Sequence, residues 1–582
     1  MAPSENNNRS ATRPTELWLA LLLTLAAFGV RTYQLGSYSL SEDETAKWQA
    51  VQQYRQGHFA AVNAEHPMLM KVLAWGSISA GQQWNARAIR NGWPTVTPES
   101  ALRLPNVVLG AATTFVLYLL ARQMLGVAGS LAAASFWAFA PLPIALNRLL
   151  KEETPLVFFS LLGCYFYLQA KKAMEETETR RWLDLSAIGF GLALASKYSP
   201  LLFGLNALAW HVAGRTGVDS RPFAQRFLRF YLLLAVTFVL VNPVILIPAN
   251  VHSVLHWIRE GGLHHTGYNF DGRLYFNVPS MTLPTMPWYF YVWLLLVKTP
   301  LPLLAAILAG GLLLLQRRNS LAFAMFVSFG VVQLLGLSVF PAKWIRYVLG
   351  LLPFLFLAGG VAVQHVYDWL VRRGMGPRLA GVTIMLLIGC TQLDLTLWHP
   401  YYSLYLNALG GGSSRVAQYF SPDEISELDA RQTASAVCQS AAPGTRLATS
   451  KPMTMDYYLE RCGRTDIRIV PLYDRGYLPR AGDLILREES RRYFETESVL
   501  AQLRASQMPH EEIRVGPVVA TTIYHFQVAL SDQRQNQGST AALVNNTIAQ
   551  QIAQNRTLGT AQTATLAMNL WSIHREKEKR SQ

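Results

Sequence analysis

Long uncharged stretches alternate with short polar segments over residues 1–400, whereas residues 401–582 have the mixed pattern of a soluble chain. A helix that spans a bilayer needs roughly 20 mostly apolar residues. We predict spans at 16–34, 104–125, 127–147, 154–170, 226–249, 288–315, 320–340, 345–366 and 379–397. Residues 183–213 are too long for one span and are interrupted at 196–200, so we predict a hairpin of two helices there. The pattern therefore predicts a polytopic α-helical membrane protein with about eleven spans.

The composition agrees with this interpretation. Charged residues make up 15% of the chain, against roughly 25% in ordinary soluble domains. Four cysteines in 582 residues are too few for a disulfide-built scaffold, and the apolar content excludes a disordered chain. The net charge of +15 is not accompanied by an RNA-binding motif or by a basic patch with interleaved aromatic residues, so we expect no nucleic-acid partner.

The positions of the basic residues predict the orientation in the membrane. Cytoplasmic loops carry an excess of Lys and Arg. With a cytoplasmic N-terminus and alternating spans, every short basic cluster falls on the cytoplasmic side: Arg122; Lys171, Lys172, Arg180 and Arg181; Arg215, Arg221, Arg226 and Arg229; Arg317 and Arg318; and Arg372, Arg373 and Arg378. The outer face then holds the loop 35–103, the turn 147–153, the loop 250–287 and the tail from His399. We expect a multi-pass protein of the bacterial inner (plasma) membrane with a periplasmic C-terminal domain.

The chain divides into three regions. Residues 1–398 form the predicted membrane domain, 399–530 a small α/β domain, and 531–582 a Gln-, Asn- and Thr-rich tail that is either weakly helical or disordered. In the α/β domain we predict helices at 423–441, 453–461 and 496–506 and strands at 445–450, 466–470, 483–488 and 518–528. Cys438 and Cys462 both lie in this domain, and the sequence leaves open whether they pair.

Acidic residues recur on the predicted outer face. Glu42, Asp43 and Glu44 follow the first span, Glu65 precedes His66 and Pro67, and Glu152 and Glu153 stand at the outer end of another span. Adjacent carboxylates repel each other, which raises the pKa of at least one and suits a general base. Each group alone is explained as a solvated surface, a helix start or an interfacial anchor. Three groups on one face, with Lys197 at the hairpin tip, favour a polar cavity.

Ordered motifs resemble the C-type membrane glycosyltransferases that use polyprenyl-phosphate sugars. The Asp43–Glu44 pair is similar to the acidic pair in the first outer loop of that superfamily, and "EETPLVFF" to its second acidic site, at Glu153. The segments "GFGLALASKYSPLLF" (189–203), "HHTGYNF" (264–270), "AKWIRYVLGLLPFL" (342–355) and "HPYYSLYLNALGGG" (399–412) follow in the superfamily's order. The resemblance is to the bacterial branch of the protein O-mannosyltransferases and lipid A aminoarabinose transferases.

The resemblance implies a reaction and a set of site residues. It implies inverting transfer from a polyprenyl-phosphate sugar to a glycan acceptor, with Asp43 as general base, Glu44 as a weaker candidate and Glu153 shaping the acceptor pocket. A phosphate leaving group needs cations, since electrostatic stabilisation of developing charge is a large catalytic term. The candidates for donor binding are Lys343, Arg346, Lys197, Glu65, His66, His264 and His265. We predict no metal ligands, because adjacent histidines diverge on most backbones, although a divalent cation at Asp43 and Glu153 stays open.

Two features depart from the named branches, and other functions remain in view. His66 stands where the aminoarabinose branch tends to have Lys, and the tail differs from the β-trefoil domain of eukaryotic protein mannosyltransferases. A lipid-linked-sugar transporter or flippase is the alternative function, but transporters place charges near the bilayer midplane. A binding or scaffold protein would not need acids at three outer sites. Within the resemblance the acceptor stays open between protein Ser/Thr, lipid A and a surface polysaccharide.

Overall fold

A computed structural model of the chain describes residues 14–60, 63–198, 220–260, 267–277, 285–390, 398–420, 427–474, 477–505 and 508–527. His264, His265, the second arm of the predicted hairpin and the tail 531–582 lie outside these ranges, as does Pro200 in the predicted interruption.

Helices make up most of the described chain up to residue 390. They are α1 (Pro14–Thr32), α2 (Glu42–Arg55), α3 (Leu69–Asn91), α4 (Pro98–Arg122), α5 (Val127–Phe139), α6 (Pro141–Asn147), α7 (Glu153–Lys172), α8 (Glu176–Ser196), α9 (Ser220–Val241), α10 (Pro248–Glu260), α11 (Phe290–Lys298), α12 (Leu301–Leu315), α13 (Leu321–Val339), α14 (Leu352–Arg372) and α15 (Pro377–Cys390). A two-stranded ribbon, β1 (Tyr268–Phe270) and β2 (Arg273–Tyr275), lies between α10 and α11.

Several of these helices are suited to a membrane. Among the described residues, α1, α4, α13 and α14 are long and apolar enough to cross a bilayer, and α5 with α6 passes the same test as one bent pair. The protein is therefore a multi-pass membrane protein, while the count of eleven spans stays a prediction.

Proline explains where the observed helices differ from the predicted spans. The predicted span 127–147 bends by 56° between α5 and α6, because Ala140 precedes Pro141 and is extended. In the same way, the span predicted at 288–315 is two helices, since Thr299 precedes Pro300 and is extended. α8 ends at Ser196, where the sequence predicts the interruption.

Small residues let the helices approach closely, as is common between membrane helices. A Cβ added to Gly310 of α12 would lie 1.7 Å from the carbonyl oxygen of Ala358 on α14. A Cβ on Gly189 of α8 would lie 3.0 Å from the Gly163 backbone of α7. Any side chain at Gly310 would therefore force α12 and α14 apart.

The C-terminal part forms a mixed five-stranded sheet with three helices. The strands are β3 (Arg446–Thr449), β4 (Arg468–Pro471), β5 (Leu484–Glu488), β6 (His510–Val515) and β7 (Val518–His525), in the order β4-β3-β5-β7-β6. Strand β3 pairs in parallel with β4 and β5, whereas β7 is antiparallel to β5 and β6. The helices are α16 (Ala430–Ser440), α17 (Pro452–Arg461) and α18 (Phe494–Ala505). We call residues 427–527 the outer domain; its location outside the cytoplasm stays a prediction.

Two features of the outer domain go beyond the sequence analysis. Strand β6 was not predicted, because its sequence "HEEIRV" has too few apolar positions to mark a strand. Cys438, near the end of α16, forms a disulfide with Cys462, the residue after α17. Residues before the outer domain pack on the membrane helices instead, since Asn407 N–H donates to the Val297 carbonyl on α11 at 2.8 Å.

Candidate active site

The sequence "SEDE" starts helix α2 and separates its three acids. Ser41 is the N-cap: its hydroxyl accepts from Glu44 N–H at 3.3 Å, and the Glu44 carboxylate accepts from Ser41 N–H at 3.0 Å. This reciprocal capping box fixes the first turn. Successive helical residues point about 100° apart, so Glu42, Asp43 and Glu44 enter three different environments.

Glu44 points into the protein. Its carboxylate receives Arg103 Nε and Nη2, both at 2.8 Å, and the Leu150 N–H at 2.9 Å, and the side chain is fully buried. Burial alone would raise the pKa of Glu44, but the Arg103 charge and hydrogen bonds outweigh it and lower the pKa. Both oxygens are occupied by protein donors, so the structure does not favour the catalytic role expected of Glu44.

Glu42 points to the outer domain. It accepts from the N–H groups of Met453 and Thr454, at 3.1 and 2.9 Å, at the start of α17. A carboxylate at a helix N-terminus is stabilised by the helix dipole and by otherwise unpaired N–H groups. Conversely, Glu42 N–H donates to Glu427 of the outer domain at 2.6 Å. Glu42 thus caps α17 of the outer domain, and Glu427 of the outer domain accepts from the first turn of α2. These hydrogen bonds tie the outer domain to α2.

Asp43 faces a cavity of about 60 Å³ and forms an ion pair with Lys151. Its side chain is 38% exposed, far more than that of Glu44. Burial would raise the pKa of Asp43, but the charges of Lys151 and Lys47 outweigh it and hold the pKa well below its ordinary range. The raised pKa expected from carboxylate repulsion is therefore not found at Asp43, because cations surround it. The cavity lining comprises Ser41, Asp43, Lys151, Gly267, Tyr268, Trp344, Arg346, Glu427, Ser490, Arg491 and Tyr493.

Beside Asp43, the turn before α7 carries a further ion pair. Glu152 lies 2.9 Å from Lys47 Nζ, one helical turn after Asp43 on α2. His66 Nδ1 lies 3.9 Å from the same Glu152 oxygen, and burial lowers the pKa of His66. The buried Lys47–Glu152 pair therefore fixes the turn so that Lys151 meets Asp43.

Glu153 contacts two other predicted site residues, Lys197 and Arg346. Lys197 Nζ lies 2.6 Å from Glu153 Oε1, and Arg346 Nε lies 3.4 Å from the same oxygen. Glu153 Oε2 is buried without a hydrogen-bond partner among the described residues. Most buried polar atoms are hydrogen-bonded, so such an oxygen marks a place where a polar ligand fits. The structure thus brings Glu153, Lys197 and Arg346 together, and Arg346 also reaches the cavity that holds Asp43.

The other predicted residues lie farther from these ion pairs. Lys343 Nζ donates to the carbonyls of Ser338 and Phe340, at 2.8 and 2.5 Å, where α13 ends, and burial lowers the pKa of Lys343 to about 8. This helix-capping position does not favour the donor-binding role expected of Lys343. Glu65 accepts from Asn63 Nδ2 at 3.0 Å, next to His66.

Sequence reasoning missed three charged residues of the cavity: Lys151, Glu427 and Arg491. Lys151 was visible as part of "KEET", but as an interfacial anchor. Arg491 lies in the run "REESRRYF", which begins at the end of β5, and no local pattern shows that this run reaches Asp43. In the part of the chain that the structure describes, no group of three or more His, Cys, Asp or Glu side chains is arranged to hold a metal ion.

The chain is similar to known membrane glycosyltransferases. Residues 95–247, about a quarter of the chain, match the family model described as dolichyl-phosphate-mannose-protein mannosyltransferase. The oligosaccharyltransferase of Archaeoglobus fulgidus in the apo form has 10% identity and a TM-score of 0.50, over 81% of this chain and 69% of that one. A search of curated proteins gave no match.

Two further solved structures are similar at lower TM-scores. ArnT from Cupriavidus metallidurans bound to undecaprenyl phosphate has 12% identity and a TM-score of 0.47, over 86% of this chain and 97% of that one. The S. cerevisiae protein O-mannosyltransferase complex bound to the sugar donor has 20% identity and a TM-score of 0.35. That alignment covers 42% of this chain and only 35% of the yeast chain.

Fold and site together define a helical membrane protein with a charged cavity beneath an α/β domain. The family match over residues 95–247 and the fold similarity to the archaeal oligosaccharyltransferase support the resemblance to the C-type membrane glycosyltransferases. The resemblance found in the sequence is thereby confirmed, and its bacterial branch stays a prediction.

Proposed function

We propose that this protein transfers a glycosyl residue from a polyprenyl-phosphate sugar to an acceptor at the outer face of the membrane. The observation that carries the proposal is the cavity in which Asp43 meets the cations Lys151 and Arg346. A carboxylate beside cations, open to a cavity at the edge of apolar helices, suits a polar reaction on a lipid-anchored phosphate. The family description, which names a dolichyl-phosphate sugar donor, supports the same donor class.

In the proposed reaction, Asp43 is the general base. An acceptor hydroxyl or amine attacks the anomeric carbon and gives its proton to the Asp43 carboxylate. The new bond joins the acceptor atom to the anomeric carbon, and the bond from that carbon to the phosphate oxygen breaks. Polyprenyl phosphate leaves with the electron pair, on the opposite face of the sugar, so the anomeric configuration inverts. A low pKa keeps Asp43 ionised, and therefore ready to accept a proton, at neutral pH.

The leaving phosphate needs positive charge. We assign this charge to Arg346 and Lys197, which both lie against Glu153 beside the cavity. Preorganised cations aimed at developing negative charge lower the barrier without reorganisation during the reaction. Glu153 pairs with both cations, and its Oε2, which has no hydrogen-bond partner among the described residues, is available to a substrate hydroxyl. His66 lies beside Glu152 and acts on the site through that residue.

The test is consumption of labelled polyprenyl-phosphate sugars by membranes that contain the protein. Mannose, glucose, galactose, aminoarabinose and galacturonate donors are offered with native membrane and periplasmic extract, which supplies protein, lipid A and polysaccharide acceptors. Asp43→Asn should abolish transfer, while the matched control Asp184→Asn, on α8 in an exposed pair with Arg229, should not. Equal consumption by wild type and Asp43→Asn contradicts the proposal. Donor movement across sealed vesicles without transfer would instead indicate a transporter.

A further inference from the structure

The reactive cavity has walls from two parts of the chain. Asp43, Lys151 and Arg346 come from the membrane part, whereas Glu427, Ser490, Arg491 and Tyr493 come from the outer domain. The outer domain therefore does not merely stand beside the site. It contributes a charged side chain, Arg491, to the same small space as the proposed base.

Two hydrogen bonds hold the Arg491 guanidinium in place, but they do not use all of its N–H groups. Its Nε–H donates to Glu427 Oε1, and its Nη1–H donates to the Tyr493 hydroxyl at 3.5 Å. Among the described residues these contacts occupy two of the five N–H groups of the guanidinium. The side chain is only 18% exposed, so the remaining N–H groups lie within the wall of the cavity. A planar guanidinium with free N–H groups is suited to hold an oxyanion by two parallel hydrogen bonds.

The outer domain is fixed against the membrane part, which fixes Arg491. Leu40 N–H donates to the Tyr458 hydroxyl at 2.8 Å, and that hydroxyl donates to Glu99 at 3.1 Å. Arg431 pairs with the same Glu99 at 2.8 Å. These contacts join α16 and α17 to the loop before α2 and to α4, so the position of Arg491 over the cavity does not depend on its own ion pair.

The charge of the cavity favours an anionic ligand. Lys151, Arg346 and Arg491 line it with three cations, while Asp43 and Glu427 supply two carboxylates. One positive charge is therefore left in excess in a largely buried space, where electrostatic interactions are stronger than in water. A phosphate oxyanion supplies the missing negative charge.

We propose that Arg491 of the outer domain directly binds a substrate oxyanion in this cavity, so that the membrane part and the outer domain build the binding site jointly. The inference rests on the proposed function, because it concerns the substrates of that same site. The oxyanion belongs either to the donor's phosphate or to an anionic group on the acceptor.

The experiment measures binding of polyprenyl phosphate, the leaving group, to the full-length protein in lipid nanodiscs. Uncharged polyprenol serves as the probe without an oxyanion. The variants are Arg491→Ala, Arg491→Lys and the control Arg468→Ala, which removes an exposed arginine on β4 of the outer domain, outside the cavity. Thermal unfolding of each variant confirms that the outer domain is still folded and docked. Acceptor KM is measured for the same variants with acceptors that do and do not carry a phosphate.

We expect Arg491→Ala to weaken polyprenyl phosphate binding at least tenfold, Arg491→Lys to weaken it less, and Arg468→Ala to leave it within twofold. Polyprenol binding should be the same in all variants. If Arg491→Ala instead leaves lipid-phosphate binding intact and raises KM tenfold only for phosphorylated acceptors, the oxyanion is the acceptor's. If neither quantity changes in a folded variant, the inference is overturned. Failure of the wild type to bind polyprenyl phosphate or to transfer sugar contradicts the proposed function itself.

Discussion

Two clusters of buried charges lie on opposite sides of the domain boundary, and they are built differently. In the first, which we call the cavity cluster, Asp43 pairs with Lys151 in the cavity wall. Glu153 pairs with Lys197 beside Arg346, which lines the same cavity. In the outer domain, Lys451 lies 3.3 Å from Asp429 and 3.7 Å from Glu488, and all three side chains are almost completely buried. We call the second cluster the outer-domain triad.

The two clusters differ in how fully their polar atoms are paired. In the triad, Asp429 accepts from the Thr433 hydroxyl at 2.9 Å, and Glu488 accepts from the Thr449 hydroxyl and the Ser450 N–H, at 2.8 and 2.6 Å. In the cavity cluster, Glu153 Oε2 has no hydrogen-bond partner among the described residues, and Asp43 is partly exposed. Complete pairing of the buried acids indicates a structural role, whereas incomplete pairing beside a cavity indicates a binding role.

The largest expected effect on folding follows from Lys451→Met. This change leaves the Asp429 carboxylate buried without a cation, and breaking a buried ion pair in this way costs about 3–5 kcal/mol. The free energy of unfolding of the outer domain, measured by urea denaturation, should fall by that amount. Transfer per folded molecule should stay unchanged. An exposed control on β4, Arg468→Met, should alter neither quantity. If Lys451→Met unfolds with the same free energy as the wild type, the outer-domain triad does not have the structural role proposed here.

A smaller effect, on pH dependence, follows from Lys151→Met. Lys151 contributes to holding the pKa of Asp43 low, so its loss should raise that pKa. The proposed base must be ionised, and activity would then be lost at a higher pH as the solution is acidified. We expect the acidic limb of the kcat/KM profile to move upward by about one pH unit or more. If the acidic limb of the profile does not move, Lys151 does not control the pKa of the reacting carboxylate.

The smallest effect follows from Glu488→Gln in the triad. Burial raises the pKa of Glu488 from 4.5 to about 7. The folded protein thus holds this proton more tightly than the unfolded chain, so the contribution of Glu488 to stability falls as the pH rises from about 4.5 to about 7. The Gln variant should lose this slope, as measured by the Tm of the outer domain at pH 5 and pH 8. If the Tm of the Gln variant depends on pH as strongly as that of the wild type, Glu488 is not the group that causes this dependence.

The sequence predicted the parts of the site that local pattern determines. Acids next to apolar spans drew attention to Asp43 and Glu153, and the structure indeed brings Glu153, Lys197 and Arg346 into contact. The roles of these residues remain proposals. The different environments of Asp43 and Glu44 were not predictable, because Glu44 is paired with Arg103, which is 59 residues away in the sequence.

Other features required long-range contacts. Arg491 reaches the cavity because the outer domain packs on the loop before α2. The sequence around Arg491 does not predict that contact. Strand β6 is held mainly by its pairing with β7, so its polar sequence was misleading. The breaks at Pro141 and Pro300, in contrast, were present in the sequence, since proline restricts the residue before it.

The most direct test of the account compares Asp43→Asn with Asp429→Asn in purified full-length protein. Both variants remove one charge from a buried ion pair, one in the cavity and one in the triad. We predict that Asp43→Asn lowers turnover with the active donor by about 10²–10⁴-fold and leaves the Tm of the outer domain almost unchanged. Asp429→Asn should lower that Tm and retain turnover per folded molecule. If Asp43→Asn keeps more than about a tenth of wild-type turnover, Asp43 is not the general base.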